Sequence, residues 1–486
     1  MTDRLTTTEG LPESVQRPGY VRDARGTGIV HIGLGAFHKA HQAVYTDDAL
    51  AASGGYWRII GVSLRSAEPA AELAPQNGLY TVIARDAAGS RARVIGAMPG
   101  AYCLKTQRQP VLDALCAPHT WIVSITVTEK GYGLDRATGG IDTNHPAITA
   151  DLATPETPQG LAGLLVLALR QRRAAGVPPF TILSCDNLPE NGPLTRDLIA
   201  DLARHAAPDL VNHILTDVAF PSTMVDRITP TRRAQTGALA RQMMGHVDAA
   251  AIETEAFSQW VIEDHFPTGR PEWEAGDAIF VDDVRPYETM KLRMLNGAHS
   301  MLAYAGFAAG HRYVRDVMAD MALARLVRRH LGAAAATLPT LPGVDFRGYT
   351  AQLEDWFRNP HLAHGTCQIA MDGSENMPQR LFSAIPDARQ KAVDIRAFAF
   401  ATAAWLRHLS LSTHDCVPYD SRDPRKETLT AIGFNRTAAE IVQVMRTADF
   451  IDRAIADDTA FWTEVTPILD DMLSRPMTEV IAQEAS

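Results

Sequence analysis

The segment 287–299 carries several side chains that can hold or move a proton. In an α-helix, which turns about 100° per residue, Glu288, Asn296 and His299 all fall within about 140° of Lys291. Lysine serves as a general base or acid when burial brings its pKa toward neutral, and asparagine amides stabilise negative charge developing on oxygen. The group therefore suits proton transfer at a secondary alcohol that loses hydride. The same spacing also fits an amphipathic helix with a solvated face and a Glu288–Lys291 pair.

Lysine is scarce in this chain, which makes Lys291 more noticeable. Arginine supplies most of the 46 basic side chains. The lysines are Lys39, Lys105, Lys130, Lys291, Lys391 and Lys426. Because arginine is always charged, a lysine in such a chain is a better candidate for a group that loses its proton.

A glycine-rich turn, Gly33-Leu34-Gly35, follows a short apolar strand at 28–32 and opens a helical pattern. Such a turn lets the backbone approach a pyrophosphate, and the helix start presents N–H groups to the anion. The third glycine of the usual dinucleotide-binding pattern is replaced by His38, so the match is partial. We expect the cofactor to be bound by Ile32, Gly33, Leu34, Gly35, Ala36 and Phe37.

The second strand, 57–64, bears on the choice of cofactor. NAD is usually recognised by an acidic residue at the end of this strand, which binds the ribose hydroxyls. Here the strand is followed by Arg65, which suits a 2′-phosphate, and no Asp or Glu is present. NAD is the expected cofactor, and NADP is not excluded.

Asn187 follows a buried apolar strand at 180–185. Open α/β sheets bind ligands at the carboxyl ends of their strands, so Asn187 is a second candidate for stabilising an oxyanion. His38 and His41 have a spacing that can bind a metal, but no further ligand pattern accompanies them. No metal is expected.

The remaining pattern predicts an α/β domain followed by a helical one. Strands at 79–84, 92–95 and 121–127 alternate with helices through about residue 230, which indicates a doubly wound sheet. A last edge strand is expected at 278–283. We predict a Rossmann-like domain at 1–282 and a mostly helical domain at 283–486. The helices predicted in the second domain span 287–308, 314–331, 347–357, 388–409, 436–445 and 459–474.

Composition excludes several classes of protein. The net charge is −10 and no basic run is present, which argues against nucleic acid as a partner. No apolar run approaches the roughly 20 residues of a membrane span, and residues 1–22 do not form a secretory signal. The five cysteines form no CxxC pair, so disulfides or a thiolate zinc site are not expected. The expectation is a cytoplasmic protein, a monomer by default, acting on a small molecule.

Several longer stretches resemble the long-chain polyol dehydrogenase family, which includes mannitol 2-dehydrogenase and fructuronate reductase (mannonate oxidoreductase). The matching stretches are IVHIGLGAFHKAHQAVY from 29, TVTEKGY from 126, SCDNLPENG from 184, FPSTMVDRITP from 220, QWVIEDHF from 259, GRPEWE from 269, KLRMLNGAHS from 291 and QIAMDGS from 368. They extend over most of the chain and are far more specific than the glycine turn alone.

The resemblance implies a Rossmann-like N-terminal domain, a mostly helical C-terminal domain and an active site in the cleft between them. It implies a metal-free reaction in which Lys291 is the acid/base and in which Asn187 and Asn296 stabilise the oxyanion. The remaining roles that it implies are an active-site histidine at His299, a proton-path glutamate at Glu288, a substrate-contacting acid at Asp226, and nicotinamide contacts at Thr128 and Glu129.

The stretch around residues 368–380 bears on the substrate. Gln368 and Asn376 stand where the mannitol 2-dehydrogenase branch carries Arg and Lys, and Gln368 is closer to the fructuronate reductase branch. Asn376 departs from both branches. Arg380 is a candidate partner for a substrate carboxylate. A linear C5–C6 sugar alcohol or sugar acid is therefore expected as substrate, with a phosphopolyol dehydrogenase and a non-catalytic dinucleotide sensor as alternatives.

Overall fold

A computed structural model describes residues 4–135, 138–360, 364–411, 423–433 and 436–486. The chain folds as two compact units, Met1–Val284 and Arg285–Ser486, and each unit is described by itself. Four of the cysteines are free thiols, namely Cys103, Cys116, Cys185 and Cys367. Cys416 lies outside the described residues.

The first unit is built around a parallel sheet. The strands of the unit are Thr27–Ile32 (β1), Arg58–Ser63 (β2), Tyr80–Asp86 (β3), Gly89–Ile95 (β4), Gly100–Cys103 (β5), Ile122–Ile125 (β6), Thr181–Ser184 (β7), Thr223–Asp226 (β8), Ile252–Glu255 (β9), Gln259–Glu263 (β10) and Ile279–Val281 (β11). Five of them form the main sheet in the order β5-β2-β1-β6-β7, and every pairing in it is parallel. This order places β1, which leads into the glycine turn, at the centre of the sheet.

The main sheet is buried on both faces, as its continuous apolar strands predict. On one face, Val30 and Ile125 join a buried cluster with residues of the helix Leu161–Ala174. On the other face, Ile29 and Ile122 join a separate buried cluster. Side chains of successive strand residues point to opposite faces, so adjacent apolar residues supply both cores. The predicted Rossmann-like fold of this unit is confirmed.

The other strands form two smaller sheets. In one, β3 pairs antiparallel with β4 and parallel with β9. In the other, β10 pairs antiparallel with β8 and parallel with β11. The strand expected at 278–283 is therefore an edge strand, but of a small separate sheet. The helices of the unit are Ala36–Ala40 (α1), Gln42–Ala52 (α2), Glu68–Leu73 (α3), Arg108–Cys116 (α4), Glu129–Tyr132 (α5), Pro146–Ala153 (α6), Leu161–Ala174 (α7), Asn191–Ala206 (α8), Val211–Asp217 (α9) and Ala234–Met244 (α10).

The regular elements of the second unit, among its described residues, are all helices. Its helices are Arg285–Met290 (α11), Gly297–Ala308 (α12), Val314–Ala319 (α13), Met321–Thr337 (α14), Phe346–Phe357 (α15), Thr366–Ile369 (α16), Gly373–Arg380 (α17), Ile385–Gln390 (α18), Arg396–Leu411 (α19), Lys426–Gly433 (α20), Ala438–Met445 (α21), Arg453–Ala456 (α22), Thr459–Ser474 (α23) and Met477–Ala485 (α24). A π-helical turn, Lys291–Asn296, connects α11 to α12. Helix α19 packs against both α12 and α23. Phe398 and Trp405 of α19 and Trp462 of α23 are fully buried.

Three helices that the pattern predicts as continuous are interrupted. The prediction at 287–308 is wrong at its centre, where the π turn lies. The prediction at 314–331 breaks at Asp320, whose carboxylate accepts hydrogen bonds from the N–H groups of Ala322 and Leu323 and so begins a new helix. The prediction at 388–409 breaks near Ala392, which has a left-handed φ of 53°. Apolar periodicity continues across each break, so the pattern alone does not reveal it.

No helix among the described residues is long and apolar enough to cross a membrane.

Candidate active site

The glycine turn after β1 has the backbone that a dinucleotide requires. Gly33 has a φ of 100°, and a Cβ at this position would collide with the carbonyl oxygen of Thr126. A Cβ at Gly35 would meet no atom closer than the Gly33 carbonyl oxygen, at 3.6 Å, so the space beside Gly35 is open. Helix α1 begins at the next residue, Ala36. Tight packing behind Gly33 and open space at Gly35 fit a pyrophosphate lying against this turn.

A network of buried polar side chains lies behind the glycine turn and is hydrogen-bonded to it. Thr126 Oγ1 donates to the carbonyl oxygen of Gly33 at 3.0 Å. The ring nitrogens of His31 lie 2.9 Å from Ser124 Oγ and 2.8 Å from Thr126 Oγ1. Burial lowers the pKa of His31 to about 3, so the ring is neutral at physiological pH. Because the Thr126 hydroxyl donates its proton to Gly33, its oxygen can accept a hydrogen bond from Nε2 of His31.

His38, which replaces the third glycine of the pattern, packs flat against His31 with ring centroids 3.4 Å apart. Burial lowers the pKa of His38 as well. His41 Nε2 lies 3.1 Å from the carbonyl oxygen of Gln259. These two histidines therefore belong to the packing below the turn. Among the residues that the structure describes, no three His, Cys, Asp or Glu side chains are grouped so that they can hold a metal ion.

The other predicted cofactor residues lie at strand ends of the same sheet. Ile32 and Leu34 are buried, and Ala36 and Phe37 are half-buried. Arg65 is exposed, two residues beyond the end of β2. Thr128 and Glu129 are exposed at the start of α5, which follows β6.

Asn187 is exposed just beyond the end of β7. The residue before it, Asp186, accepts hydrogen bonds at one carboxylate oxygen from Tyr132 Oη at 2.6 Å and from the Val127 N–H at 3.1 Å. Burial raises the pKa of Asp186 to about 7. The segments carrying Asn187 and Thr128 are thus tied together within the first unit.

Asp226 is half-buried at the end of β8, opposite Gln259 of β10. Glu255, at the end of β9, is 1% exposed, and burial raises its pKa to about 9, with the charge of Asp226 adding to the rise. The first unit therefore presents Asp226 next to a carboxyl group that is protonated at neutral pH.

In the second unit, Lys291 and Asn296 are the first and last residues of the π turn. The amide N–H of Gly297 donates to the carbonyl oxygen of Leu292, five residues earlier, which is the π pattern. Lys291 is 8% exposed and Asn296 is half-buried. Glu288 lies one turn earlier, half-buried on α11. The angular positions expected from an α-helix are wrong beyond Lys291, because a π turn advances less per residue than an α turn.

Close packing holds this turn. A Cβ on Gly297 would lie 3.0 Å from both the carbonyl oxygen of Arg380 and Nε2 of the buried His330. Arg293, 7% exposed, donates to Thr337 Oγ1 at 3.1 Å and to the carbonyl oxygen of Ser383 at 2.7 Å. The turn is therefore fixed by the close packing that Gly297 permits and by the hydrogen bonds of Arg293.

His299 lies on α12 against Trp356 and Phe357, with ring centroids 4.8 and 4.9 Å away. Burial lowers its pKa well below the ordinary value, and the charges of His364 and Arg380 lower it further. A cavity of about 10 Å³, close to the space one water needs, is lined by His299, Val314, Trp356, Phe357 and His364. His299 is therefore a neutral ring at physiological pH, able to donate at one nitrogen and accept at the other.

The three substrate-binding residues predicted in the second unit differ in their contacts and exposure. Arg380, half-buried at the end of α17, donates to Ser300 Oγ at 3.1 Å. Asn376, on α17, donates to the carbonyl oxygen of Met371, just before the same helix, at 3.3 Å. Gln368 is exposed on α16. The structure thus brings Arg380 close to the helix that carries His299, whereas Asn376 bonds to its own segment.

Several residues of the site were not singled out in the sequence. Asp186 and Tyr132 lie inside stretches that carry the family resemblance, so their neighbours point to them. His330 and His364 have no such signal, because a lone histidine in a helix or loop is more often a packed core residue. They become evident only through their contacts with Gly297 and His299.

The parallel sheet and its glycine turn define a Rossmann-type domain, and the turn fits a bound dinucleotide. Residues 27–275 match the family model described as the mannitol dehydrogenase Rossmann domain, and residues 283–473 match the mannitol dehydrogenase C-terminal domain. The chain belongs to the mannitol dehydrogenase family, so the predicted family resemblance is confirmed.

Relatives with different substrates are about equally similar to the chain. D-mannonate oxidoreductase of Escherichia coli is 41% identical over 409 residues, covering 83% of this chain and 84% of the relative. Mannitol 2-dehydrogenase of Cereibacter sphaeroides is 40% identical over 418 residues, covering 85% and 87%. The structure of Pseudomonas fluorescens mannitol 2-dehydrogenase, a ternary complex with NAD and D-mannitol, matches with a TM-score of 0.79 and 34% identity over 99% of both chains.

Proposed function

We propose that the protein is an NAD(P)-dependent, metal-free oxidoreductase that interconverts a secondary alcohol and a ketone on a linear C5–C6 polyol or aldonate. The observation that carries the proposal is the π turn that begins at the buried Lys291 and ends at Asn296. π turns are rare and are frequent at functional sites. The relatives named D-mannonate oxidoreductase and mannitol 2-dehydrogenase support an oxidoreductase that acts on a substrate of this kind.

Lys291 is the proposed acid/base. In the oxidation, its neutral amine takes the proton of the substrate hydroxyl while the C–H bond breaks. The nicotinamide, when bound, accepts the hydride. In the reduction, the ammonium returns the proton to the oxygen. Glu288, one turn earlier, is the proposed route by which the proton that Lys291 takes up in the oxidation reaches solvent.

Asn296 and Asn187 are the proposed donors to the substrate oxygen as it gains negative charge. Their amide N–H groups suit this role because they donate without changing protonation state. His299 orients the substrate as a neutral ring, which its lowered pKa supports. Asp226 is the proposed acceptor for a further substrate hydroxyl.

NAD is the proposed cofactor. Gly33 and Gly35 would hold the pyrophosphate of the dinucleotide, and Thr128 and Glu129 would contact its nicotinamide. The open space at Gly35 supports the pyrophosphate position, and the relative from Pseudomonas fluorescens was solved with NAD. Arg65 follows β2, and no Asp or Glu stands at the end of that strand. NADP should therefore be tested beside NAD in every assay.

The substrate is proposed to be mannitol-like or mannonate-like, and Arg380 distinguishes the two. A guanidinium can bind a carboxylate through two parallel hydrogen bonds. Gln368 and Asn376 replace charged residues of the mannitol branch. Arg380 is therefore the proposed cation that binds the carboxylate of an acid substrate.

The test is an absorbance panel at 340 nm, with NAD and NADP separately, on mannitol, sorbitol, arabinitol and mannonate. Fructose and fructuronate are assayed with the reduced cofactors. We expect turnover of at least one pair. Preference for mannonate and fructuronate assigns an acid substrate, and preference for a neutral polyol assigns the mannitol type. Cofactor binding with no turnover of any of these compounds would refute the proposed function.

A further inference from the structure

A carboxylate lies directly before the proposed oxyanion donor Asn187. Asp186 Oδ2 accepts from Tyr132 Oη at 2.6 Å and from the backbone N–H of Val127 at 3.1 Å. Tyr132 is the last residue of α5 and is 1% exposed. Val127 immediately precedes Thr128. The one carboxylate thus spans from the end of β7 to the turn after β6.

The hydrogen bonds around Asp186 have a defined direction. The Tyr132 hydroxyl has one proton and gives it to Asp186, so it must accept from Ser184 Oγ, 2.9 Å away. Hydrogen bonds in such a chain strengthen one another, and a charged acceptor makes them stronger still. The chain Ser184–Tyr132–Asp186 is therefore stiffest when Asp186 is ionised.

The peptide between Asp186 and Asn187 is held from the other side as well. Asn191, fully buried, donates from Nδ2 to the carbonyl oxygen of Asp186 at 3.0 Å and to that of Thr223 at 2.9 Å. Its Oδ1 accepts from the Thr223 N–H at 2.9 Å. The backbone that carries Asn187 is thus fixed at both the side chain and the carbonyl of the preceding residue.

We infer that Asp186 is a positioning residue that couples the Val127–Glu129 turn to Asn187 through its bonds to Tyr132 and Val127. The inference rests on the proposed function, in which that turn meets the nicotinamide and Asn187 holds the substrate oxygen. One side chain thereby positions both the turn proposed to meet the hydride acceptor and the proposed oxyanion donor. That side chain contacts neither the cofactor nor the substrate.

The charge of Asp186 depends on pH near neutrality. Burial raises its pKa to about 7, against the lowering effect of the Tyr132 and Val127 hydrogen bonds. The titratable groups that face it are the Tyr132 phenol and the buried Cys185 thiol, and burial together with the Asp186 charge raises the pKa of both. Both groups are neutral near pH 7. The hydrogen bonds from Tyr132 and Val127 therefore strengthen as pH rises through about 7, because Asp186 becomes ionised.

The test compares Asp186→Asn and Tyr132→Phe with two controls in the same unit. Asn keeps the size and an acceptor oxygen but has no charge, and Phe removes only the hydroxyl. Asp151→Asn is the carboxylate control, because Asp151 is also buried and accepts the N–H groups of Gln159 and Gly160. Tyr80→Phe is the phenol control, because buried Tyr80 donates to the carbonyl oxygen of Lys39 at 2.8 Å.

We expect Asp186→Asn to lower kcat roughly tenfold to a hundredfold, with a smaller effect on the cofactor KM, since the pyrophosphate site is untouched. On the acid side of the pH–rate profile, the fall in kcat that accompanies protonation of Asp186 should be absent in Asp186→Asn. Tyr132→Phe should lower kcat in the same direction. Both controls should lower Tm at most, and leave kcat and the profile unchanged. A wild-type kcat and pH profile in Asp186→Asn would overturn the inference.

A second readout does not depend on turnover. The fluorescence of NADH bound to the wild-type protein should change near pH 7, because the turn proposed to contact the nicotinamide tightens there, and this transition should be absent in Asp186→Asn. If no substrate is turned over but this difference is seen, the proposed function fails and the coupling role of Asp186 stands. Equal pH dependence in both proteins would overturn it.

Discussion

Lys291 and Asn296 begin and end one π-helical turn. A helix held by i→i+5 hydrogen bonds brings residues five apart closer in angle than an α-helix does. The two side chains proposed to handle the proton and the oxyanion are therefore placed by the irregular turn itself. The turn depends on Gly297 and Arg293, neither of which is assigned a chemical role.

Removing the amine of Lys291 should greatly slow turnover and leave cofactor binding intact. We expect Lys291→Ala to lower kcat roughly 10²–10⁴-fold, the usual contribution of a general acid or base. NADH binding, measured by fluorescence titration, should stay within about twofold of wild type. Lys391→Ala is the control, because Lys391 donates to the carbonyl oxygens of Thr337 and Leu338 in the same unit. A near-wild-type rate for Lys291→Ala would defeat the mechanism.

A methyl group at Gly297 should disturb the π turn. Its Cβ would lie 3.0 Å from a backbone oxygen and from the His330 ring, and overpacking of this kind costs about 1–3 kcal/mol. This cost equals or exceeds the roughly 1 kcal/mol that alanine gains over glycine in a helix. We expect Gly297→Ala to lower both Tm and kcat.

Gly332→Ala is the matched control for that substitution. Gly332 lies within α14 of the same unit, and a Cβ there meets no atom within 4 Å. Alanine should therefore raise Tm slightly and leave kcat unchanged. If Gly297→Ala behaves like Gly332→Ala, the close packing at the π turn has no role in activity.

The sequence predicts the α/β unit well, because buried parallel strands are continuous apolar runs bounded by turns. It also predicts that Lys291, Asn296 and His299 share a helical segment. It does not predict the π turn, since an inserted register change leaves the apolar pattern intact on both sides. Nor does it predict His330 against Gly297 or Asp186 bonded to Val127, because these contacts join residues far apart in the chain.

Arg380 should discriminate between acids and neutral polyols. Arg380→Lys keeps a positive charge but loses the planar fork that binds a carboxylate at two oxygens. We expect the KM for mannonate and fructuronate to rise roughly tenfold or more, with the kcat/KM for mannitol within about twofold of wild type. Steady-state kinetics with both substrate classes makes the comparison.

The surface pair of Arg389 with Asp458 supplies the control for that experiment. Its two hydrogen bonds, at 3.0 and 3.2 Å, are exposed. Arg389→Lys should change neither KM nor kcat. If Arg380→Lys weakens mannitol and mannonate equally, Arg380 supports the fold of the site and does not recognise a carboxylate.

The buried histidines of the second unit should make it sensitive to acid. His408 is 7% exposed, with its ring 5.2 Å from those of Tyr304 and Phe307, and burial lowers its pKa to about 4. Above pH 6.5, the ring is neutral in both the folded and unfolded states and has no effect on stability. As pH falls below 6.5, the unfolded chain takes up the proton first, so stability is lost progressively down to about pH 4.

His408→Phe should remove this share of the acid sensitivity. Between pH 6.5 and 5, a single such ring contributes about 2 kcal/mol of destabilisation, or roughly 4–8 °C in Tm for a unit of this size. The Tm of His408→Phe should therefore fall by several degrees less than that of wild type between pH 7 and pH 5. Replacing the exposed His205 by Asn should leave the pH dependence unchanged. An identical fall in His408→Phe and wild type would show that His408 is not the group whose protonation drives acid unfolding.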